Sequence, residues 1–300
     1  MADTRNSPVS ASLATAQHLL RSALLQPKLS LPPLPLPAIA LRVTNMSEDE
    51  SDAATLAGLI QKDAGLAAEI VRVANSALYA RRSPVTSLQQ AISWLGIAEV
   101  RKIAVSCALR AQVFAGAGTQ RVLAPIWNES LATACFCQEI ARLQRRGVEP
   151  AYLGGLLHRA GFAALVQLLS KNNVPADLLG DRAGLAALAA EHETALGQFL
   201  AKDWALPELV AAGLQHWRSP DATTAKELPK PQRLALLEVI LARTMAAQLG
   251  QPDVVSDDST PPEVISAATG TAEELGIYLD DLQLLWGKRS QAIKLVESLQ

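Results

Sequence analysis

The chain has 300 residues, of which 49% are hydrophobic and 19% are charged, so it is long enough for one large domain or two small ones with a well-buried core. A net charge of −2 and a pI of about 6.1 give no global positive field that would attract nucleic acid or an anionic membrane. We therefore expect no DNA partner and no membrane partner. No secretory start and no run of about 18 apolar residues is present, which predicts a soluble, cytoplasmic protein.

The composition favours helices. Ala and Leu are abundant and aromatic residues make up only 4% of the chain, which is typical of close-packed helices rather than of sheets. Three cysteines outside a secretory context predict reduced thiols in a helical core. Cys135 and Cys137 would lie on nearly opposite faces of a helix, which suits neither a metal site nor a redox pair. The predicted fold class is all-α.

The N-terminal region begins with two distinct segments. Leucines at helical spacing predict a short amphipathic helix over residues 11–26. Five prolines in residues 27–37 then exclude a helix and favour an extended strap. The leucines that alternate with these prolines favour packing of the strap across the domain, although a ligand for a proline-binding module remains the alternative.

The following segments read as helices with identifiable ends. Asp63 is well placed to cap a helix that runs to about Tyr79 and carries Asn75 among apolar neighbours. An Asn in that place either latches a neighbouring backbone segment, the interpretation that we favour, or binds a ligand. Gly96 stands where a left-handed C-cap ends the next helix. The basic run at residues 101–102 is typical of a solvated helix face.

Several short motifs occur in an order that resembles a known family. They are Asp63-Ala64-Gly65-Leu66-Ala67, Ala74-Asn75-Ser76-Ala77, Ala91-Ile92-Ser93-Trp94-Leu95-Gly96 and Leu156-Leu157-His158-Arg159-Ala160-Gly161. Over roughly residues 27–217 this order is similar to the HDOD family, bacterial helical domains that are related to HD phosphohydrolases and usually act in signalling. The resemblance implies a multi-helix HD-like bundle in two lobes, and it marks Asn75, Ser76, Gly96 and Gly161 as family-motif residues.

The resemblance also implies a domain organisation. Residues 1–26 form an N-terminal extension with a short helix, residues 27–118 an N-terminal helical lobe, and residues 119–250 an HD-like lobe. Residues 251–300 form a C-terminal loop and a helical tail, in which Leu275, Ile277, Leu279, Leu282 and Leu285 are predicted to pack inward from a helical region that starts at Ala272.

HD phosphohydrolases hold divalent cations with histidines and aspartates from several helices. The resemblance places the corresponding positions at Glu129, His158, Arg159, Glu193, His216 and Trp217. His158 keeps the histidine of the His-Asp doublet, but Arg159 replaces the aspartate. Glu129, Glu193 and Trp217 each stand where a related hydrolase carries a histidine. The predicted site is therefore a degenerate one.

Arg159 is the residue on which the prediction about metal binding depends. A fixed positive charge a few ångströms from a dication is repulsive by on the order of several kcal/mol, and an arginine does not lose its proton. We expect Arg159 to pair with Glu129 or Glu193 as a structural ion-pair network. This predicts no metal, no cofactor and no catalytic residue. A residual zinc or manganese site of Glu129, His158, Glu193 and His216 is the alternative.

Three functions follow from this resemblance. The leading one is a non-catalytic signal-transduction protein that binds another bacterial regulator as a scaffold. The second is a metal-dependent phosphohydrolase that acts on a nucleotide. The third is a nucleotide-sensing pseudo-hydrolase in which Arg159 contacts a phosphate.

Overall fold

The computed structural model of the protein describes residues 8–25, 53–116, 118–172, 174, 176–218, 226–249 and 262–299. The predicted strap at 27–37 lies outside the described residues, as does the loop predicted between Gly250 and Pro262 apart from its last residue. The described residues form helices joined by turns and contain no strand, so the predicted all-α class is confirmed.

The helices follow one another along the chain with short connections. They are α1 (Pro8–Leu25), α2 (Ala53–Ile60), α3 (Ala64–Ala74), α4 (Leu88–Leu95), α5 (Ile97–Gln112), α6 (Gln120–Leu143), α7 (Val148–Leu157), α8 (Ala160–Lys171), α9 (Ala176–Gly180), α10 (Arg182–Asp203), α11 (Glu208–His216), α12 (Lys230–Gln248), α13 (Pro262–Leu275), α14 (Leu279–Trp286) and α15 (Arg289–Ser298).

The helices pack in two groups that share one core. Helices α2 to α5 contact one another, while α6 packs on α7 and α12, α8 packs on α10, and α11 packs on α7, α10 and α12. The buried apolar side chains form one continuous cluster from α1 to α15. This second group of helices surrounds the positions that the sequence identifies as the degenerate site.

Helix α1 docks on its own chain. It begins at Pro8, three residues earlier than predicted, and it contacts α9 and α10. Ala16 and Leu20 are fully buried in this contact, and the Arg21 guanidinium lies 2.6 Å from a carboxylate oxygen of Glu191. The N-terminal helix is thus anchored by apolar burial, with an exposed ion pair at its edge.

Helix α3 ends at Ala74 rather than near Tyr79, because Asn75 leaves the helix and binds another segment. The Asn75 side chain accepts a hydrogen bond from the Val85 amide (2.7 Å) and donates one to the Val85 carbonyl (2.7 Å). This is the backbone latch that we favoured. The predicted position inside the helix among apolar neighbours is wrong, since Asn75 is the C-cap residue and is exposed.

Gly96 ends α4 and begins α5 with a backbone that only glycine adopts readily. Its φ of 81° has the predicted positive sign, but its ψ of 161° lies outside the left-handed helical region that a left-handed C-cap requires. The two helices are therefore joined through a single residue.

The basic run at the start of α5 is buried, so the prediction of a solvated face is wrong there. Arg101 lies 3.2 Å from Glu149, and the Lys102 amine lies 2.6 Å from Glu99 and contacts Gln138. Both cations therefore sit where α5 meets the second group of helices, and burial is possible because each has a polar partner.

The C-terminal region consists of helices α13 to α15 and begins ten residues earlier than predicted, at Pro262. Four of the five side chains predicted to pack inward are buried, but Leu279 is 49% exposed because it lies in the first turn of α14. Trp286 is fully buried and stacks on Phe136 of α6 with a ring-centroid distance of 6.3 Å.

Within the described residues, the segment Val148–Lys171 is long and apolar enough to span a membrane by length and composition. Its most apolar window is 94% buried inside the protein. That burial is what a core segment shows, and it matches the place of α7 and α8 at the centre of the fold.

Candidate functional site

Helices α6, α7, α8, α10, α11 and α12 bring charged side chains together at one place. Glu129 lies on α6, Glu193 on α10 and Arg243 on α12. Arg159 lies in the break between α7 and α8, and Arg218 follows the end of α11 by two residues. The cluster thus combines residues from distant parts of the chain.

The break between α7 and α8 positions Arg159. The His158 ring donates a hydrogen bond to the carbonyl of Gly155. In an uninterrupted helix, that carbonyl would accept the hydrogen bond of the Arg159 amide. The apolar residues Leu153 and Leu165 therefore lie on two different helices, α7 and α8. As a result, Arg159 projects from the N-cap of α8 toward α10 and α6.

The five charged side chains form a chain of hydrogen-bonded ion pairs. Arg159 donates from Nε to Glu193 Oε1 (2.9 Å) and from Nη1 to Glu129 Oε2 (3.2 Å). Arg218 donates from Nε to Glu193 Oε2 (2.8 Å), and Arg243 donates from Nε to Glu129 Oε1 (2.9 Å). Every oxygen of both carboxylates therefore accepts a hydrogen bond from an arginine. Arg159 is paired with both of the glutamates that the sequence offers as partners.

Trp217 lies at the centre of this arginine–glutamate network. The guanidinium carbons of Arg159, Arg218 and Arg243 lie 4.8, 5.2 and 4.7 Å from its ring centroid. Such distances are typical of attraction between a cation and an aromatic ring. Trp217 thus occupies the position where the resemblance places the second histidine of a pair. Its indole ring is a common contact for the three arginines, which do not bind one another.

His158 packs beside the network as a neutral side chain. It is fully buried, and its ring meets Trp217 edge-on with a centroid distance of 5.3 Å. A carbonyl only accepts hydrogen bonds, so Nδ1 carries the proton that is donated to Gly155 (2.6 Å). Burial, reinforced by the positive charge of Arg159, lowers the pKa of His158 to about 3. His158 is therefore uncharged at neutral pH.

Gly161 allows α8 and α10 to approach closely behind the network. A Cβ at this position would lie 2.6 Å from the backbone oxygen of Glu193 and 3.1 Å from the amide nitrogen of Gly197. A side chain would thus have to push the two helices apart. This close approach holds Glu193 within reach of Arg159.

The HDOD domain model matches residues 31–220, which is more than half of the chain. The chain belongs to the HDOD family. No curated protein sequence matches it significantly.

Solved structures share the fold of this HDOD protein. A "Putative signal transduction protein" from Marinobacter aquaeolei VT8 is 20% identical with a TM-score of 0.64, and the match covers 99% of this chain and 69% of that one. A "Putative phosphohydrolase" from Shewanella amazonensis SB2B is 23% identical with a TM-score of 0.63, covering 93% and 98% of the two chains. An HDOD domain protein of unknown function from Geobacter sulfurreducens is 20% identical with a TM-score of 0.57, covering 97% and 98%. At these identities the matches establish a common fold.

The residues of this HDOD domain do not fit a metal ion. His158 Nε2 has no hydrogen-bond partner among the described residues and would suit a ligand. However, both glutamates are engaged by arginines, and a dication there would face three guanidinium groups. Within the described part of the chain, no three His, Cys, Asp or Glu side chains lie together as a metal site requires.

The other family positions of the HDOD domain lie outside the network. Burial lowers the pKa of His216, which makes no described hydrogen bond or ring contact with the arginines or glutamates. Asn75, Ser76 and Gly96 belong to the α3–α5 part of the domain, where Asn75 is the latch to Val85.

Arg218 and Arg243 are members of the network that were not predicted from the sequence. A signal was present for each of them. Arg218 directly follows the family position Trp217, and Arg243 interrupts an apolar helical stretch between Leu241 and Met245. An unpaired arginine in such a stretch requires a buried carboxylate or an aromatic ring, but which one is decided only by the packing of α12 on α6.

Proposed function

We propose that this HDOD protein is a non-catalytic regulatory protein of bacterial signalling that acts by binding another protein. The observation that carries the proposal is that every carboxylate oxygen of Glu129 and Glu193 accepts a hydrogen bond from an arginine. An HD-type hydrolase needs those positions free to bind a cation that activates water. The arginines take the place of that positive charge, so the centre supports the fold and provides no nucleophile.

The alternative is a metal-dependent phosphohydrolase that acts on a nucleotide. One structural relative is named a "Putative phosphohydrolase", and the unpartnered Nε2 of His158 is the feature that favours a metal-bound form here. The two functions differ in whether a metal is retained, so they are separable before a substrate or partner is known.

The first experiment is elemental analysis of the full chain purified without chelators, followed by nucleotide hydrolysis assays with added Mn²⁺ or Mg²⁺. We expect less than one tenth of a metal ion per chain and no phosphate release above a buffer control. Near-stoichiometric zinc, manganese or iron together with turnover that is lost in a His158→Gln variant would overturn the proposal.

The second experiment tests the binding function in the organism that produces the protein. The full chain carries an affinity tag and is cross-linked in cells, and co-purifying proteins are identified and then re-tested as purified components. We expect one regulator to form a complex with the purified chain that is insensitive to EDTA. A complex that forms only after metal is added would instead favour the phosphohydrolase.

A further inference from the structure

The network carries an excess of positive charge. Among the described residues it contains three guanidinium groups but two carboxylates, and His158 is neutral at physiological pH because of its low pKa. One positive charge is thus left without a described counter-ion. A compensating anion would therefore be attracted to this place.

The excess charge lies at the outer ends of the network. The side chains of Arg218 and Arg243 are 27% and 38% exposed, whereas Arg159 is only 7% exposed. Each outer arginine uses Nε for its glutamate, and no described residue accepts a hydrogen bond from its terminal amino groups. Within the described part of the chain, these terminal donors therefore face no acceptor.

The two outer arginines contact the same aromatic ring. Both guanidinium carbons lie near the Trp217 centroid, at 5.2 and 4.7 Å, so their separation is no larger than the sum of those distances. The glutamates between them have no oxygen free of an arginine, so the negative charge that would repel an anion is neutralised locally. An approaching anion would therefore encounter the N–H donors of Arg218 and Arg243.

We propose that Arg218 and Arg243 form a binding site for the phosphoryl group of a soluble phosphorylated ligand. The inference rests on the proposed function, since it requires that no metal occupies the centre. Arginine binds phosphate and carboxylate groups in a forked, two-bond geometry. A carboxylate is satisfied by one such fork, whereas a phosphoryl dianion has three oxygens and accepts from two arginines. The pair of donors therefore favours phosphate.

Binding at this site would reach the core through the same side chains. Arg218 and Arg243 also bind Glu193 and Glu129, and these glutamates are shared with Arg159. An anion bound to both outer arginines would therefore connect the two ends of the network. Occupancy would thereby tighten the contacts between α6, α10 and α12 around Trp217. The ligand would act as a signal that stabilises one arrangement of the domain, without being consumed.

The test is titration of the EDTA-treated full chain with inorganic phosphate at pH 7.5 and low ionic strength, by calorimetry and by thermal unfolding. We expect saturable binding and a rise in melting temperature, because a ligand of the folded state stabilises it. Arg218→Gln and Arg243→Gln should each weaken binding about tenfold, as the loss of a charge-assisted hydrogen bond implies. Arg142→Gln, which removes an exposed arginine of α6 that pairs with Glu139, should leave binding unchanged.

Two results would overturn the inference. One is the absence of saturable binding by the folded, metal-free wild-type chain, a result that does not depend on any variant. The other is equal binding by wild type and by both arginine variants, with folding verified by circular dichroism. Failure of the proposed function is recognised separately, because it appears as bound metal and turnover.

Discussion

At the scale of single residues, Arg159 determines how the charges of the centre are paired. Arg159 is buried and forms hydrogen bonds with two glutamates from different helices. A buried charge is tolerated only when it is paired, so the arginine and the glutamates depend on one another. Arg159 is thus a structural contact between helices.

We predict that Arg159→Ala lowers the free energy of unfolding by about 3–5 kcal/mol, because removal of one partner leaves a buried carboxylate of Glu193 without its inner arginine. Chemical denaturation monitored by circular dichroism measures this change. The matched control is Arg21→Ala, which removes an arginine that is 63% exposed and should have little effect. An unchanged Arg159→Ala protein would refute the structural role of the network.

His158 gives a second residue-scale prediction, which concerns pH. Its pKa is about 3 in the folded protein, below its ordinary value of 6.5, so the unfolded chain binds a proton that the folded chain does not between these values. Stability from this residue is present above pH 6.5 and is lost at up to about 1.4 kcal/mol per unit as the pH falls toward 3.

The measurement is the difference in unfolding free energy between wild type and His158→Gln from pH 7 to pH 4. We expect the variant to lose less stability than wild type over this range, because glutamine does not titrate. The matched control is His18→Gln, which removes an exposed histidine of α1. Parallel curves for wild type and His158→Gln would show that His158 is not held neutral.

At the scale of elements, the helices around the network depend on close contacts between backbones. The approach of α8 to α10 at Gly161 is the contact that holds Glu193 opposite Arg159. Helical periodicity in a sequence carries no information about the distance between two helices. A glycine in a motif indicates such a close approach, but it does not identify the helix that approaches.

We predict that Gly161→Ala destabilises the fold by about 1–3 kcal/mol, because its Cβ would lie 2.6 Å from a backbone oxygen and the helices would have to shift. The control is Gly58→Ala in α2, where nothing lies within 4 Å of the added Cβ. That change should stabilise the protein by up to about 1 kcal/mol through helix propensity. Denaturant titrations of both variants provide the comparison, and a stabilised Gly161→Ala protein would contradict the close contact.

At the scale of the whole molecule, the C-terminal helices belong to the same core as the family domain. Helix α15 packs on α6, and the Arg72 side chain of α3 donates to the carbonyl of Ser298 (2.9 Å). The buried Trp286 stacks on Phe136. The last helices therefore connect both groups of the bundle, whereas the sequence suggested a tail.

We predict that Trp286→Ala lowers the free energy of unfolding by about 3–5 kcal/mol, as expected when a fully buried aromatic side chain is truncated. The single unfolding transition should shift to a lower denaturant concentration, and circular dichroism and tryptophan fluorescence should report the same midpoint. Trp94→Ala is the matched control, since that side chain is 46% exposed. An early, separate transition of small amplitude in the Trp286 variant would show that the C-terminal helices unfold by themselves.

The sequence by itself determined the helical class and the family. Periodic leucines, capping residues such as Asp63 and the absence of sheet-forming composition are local signals, and they act within one or two helical turns. Arg159 and the two glutamates that are its partners are also visible in the sequence. For these features local chemistry is sufficient.

Only the tertiary structure decided how the charges are distributed. Arg218 and Arg243 join the network because α11 and α12 pack beside α6 and α10, a relation between segments that no local pattern encodes. The same reason explains why Arg101 and Lys102 are buried although their run resembles a solvated face. Burial is a property of the packed chain, and the partners that make a buried charge tolerable are supplied by distant residues.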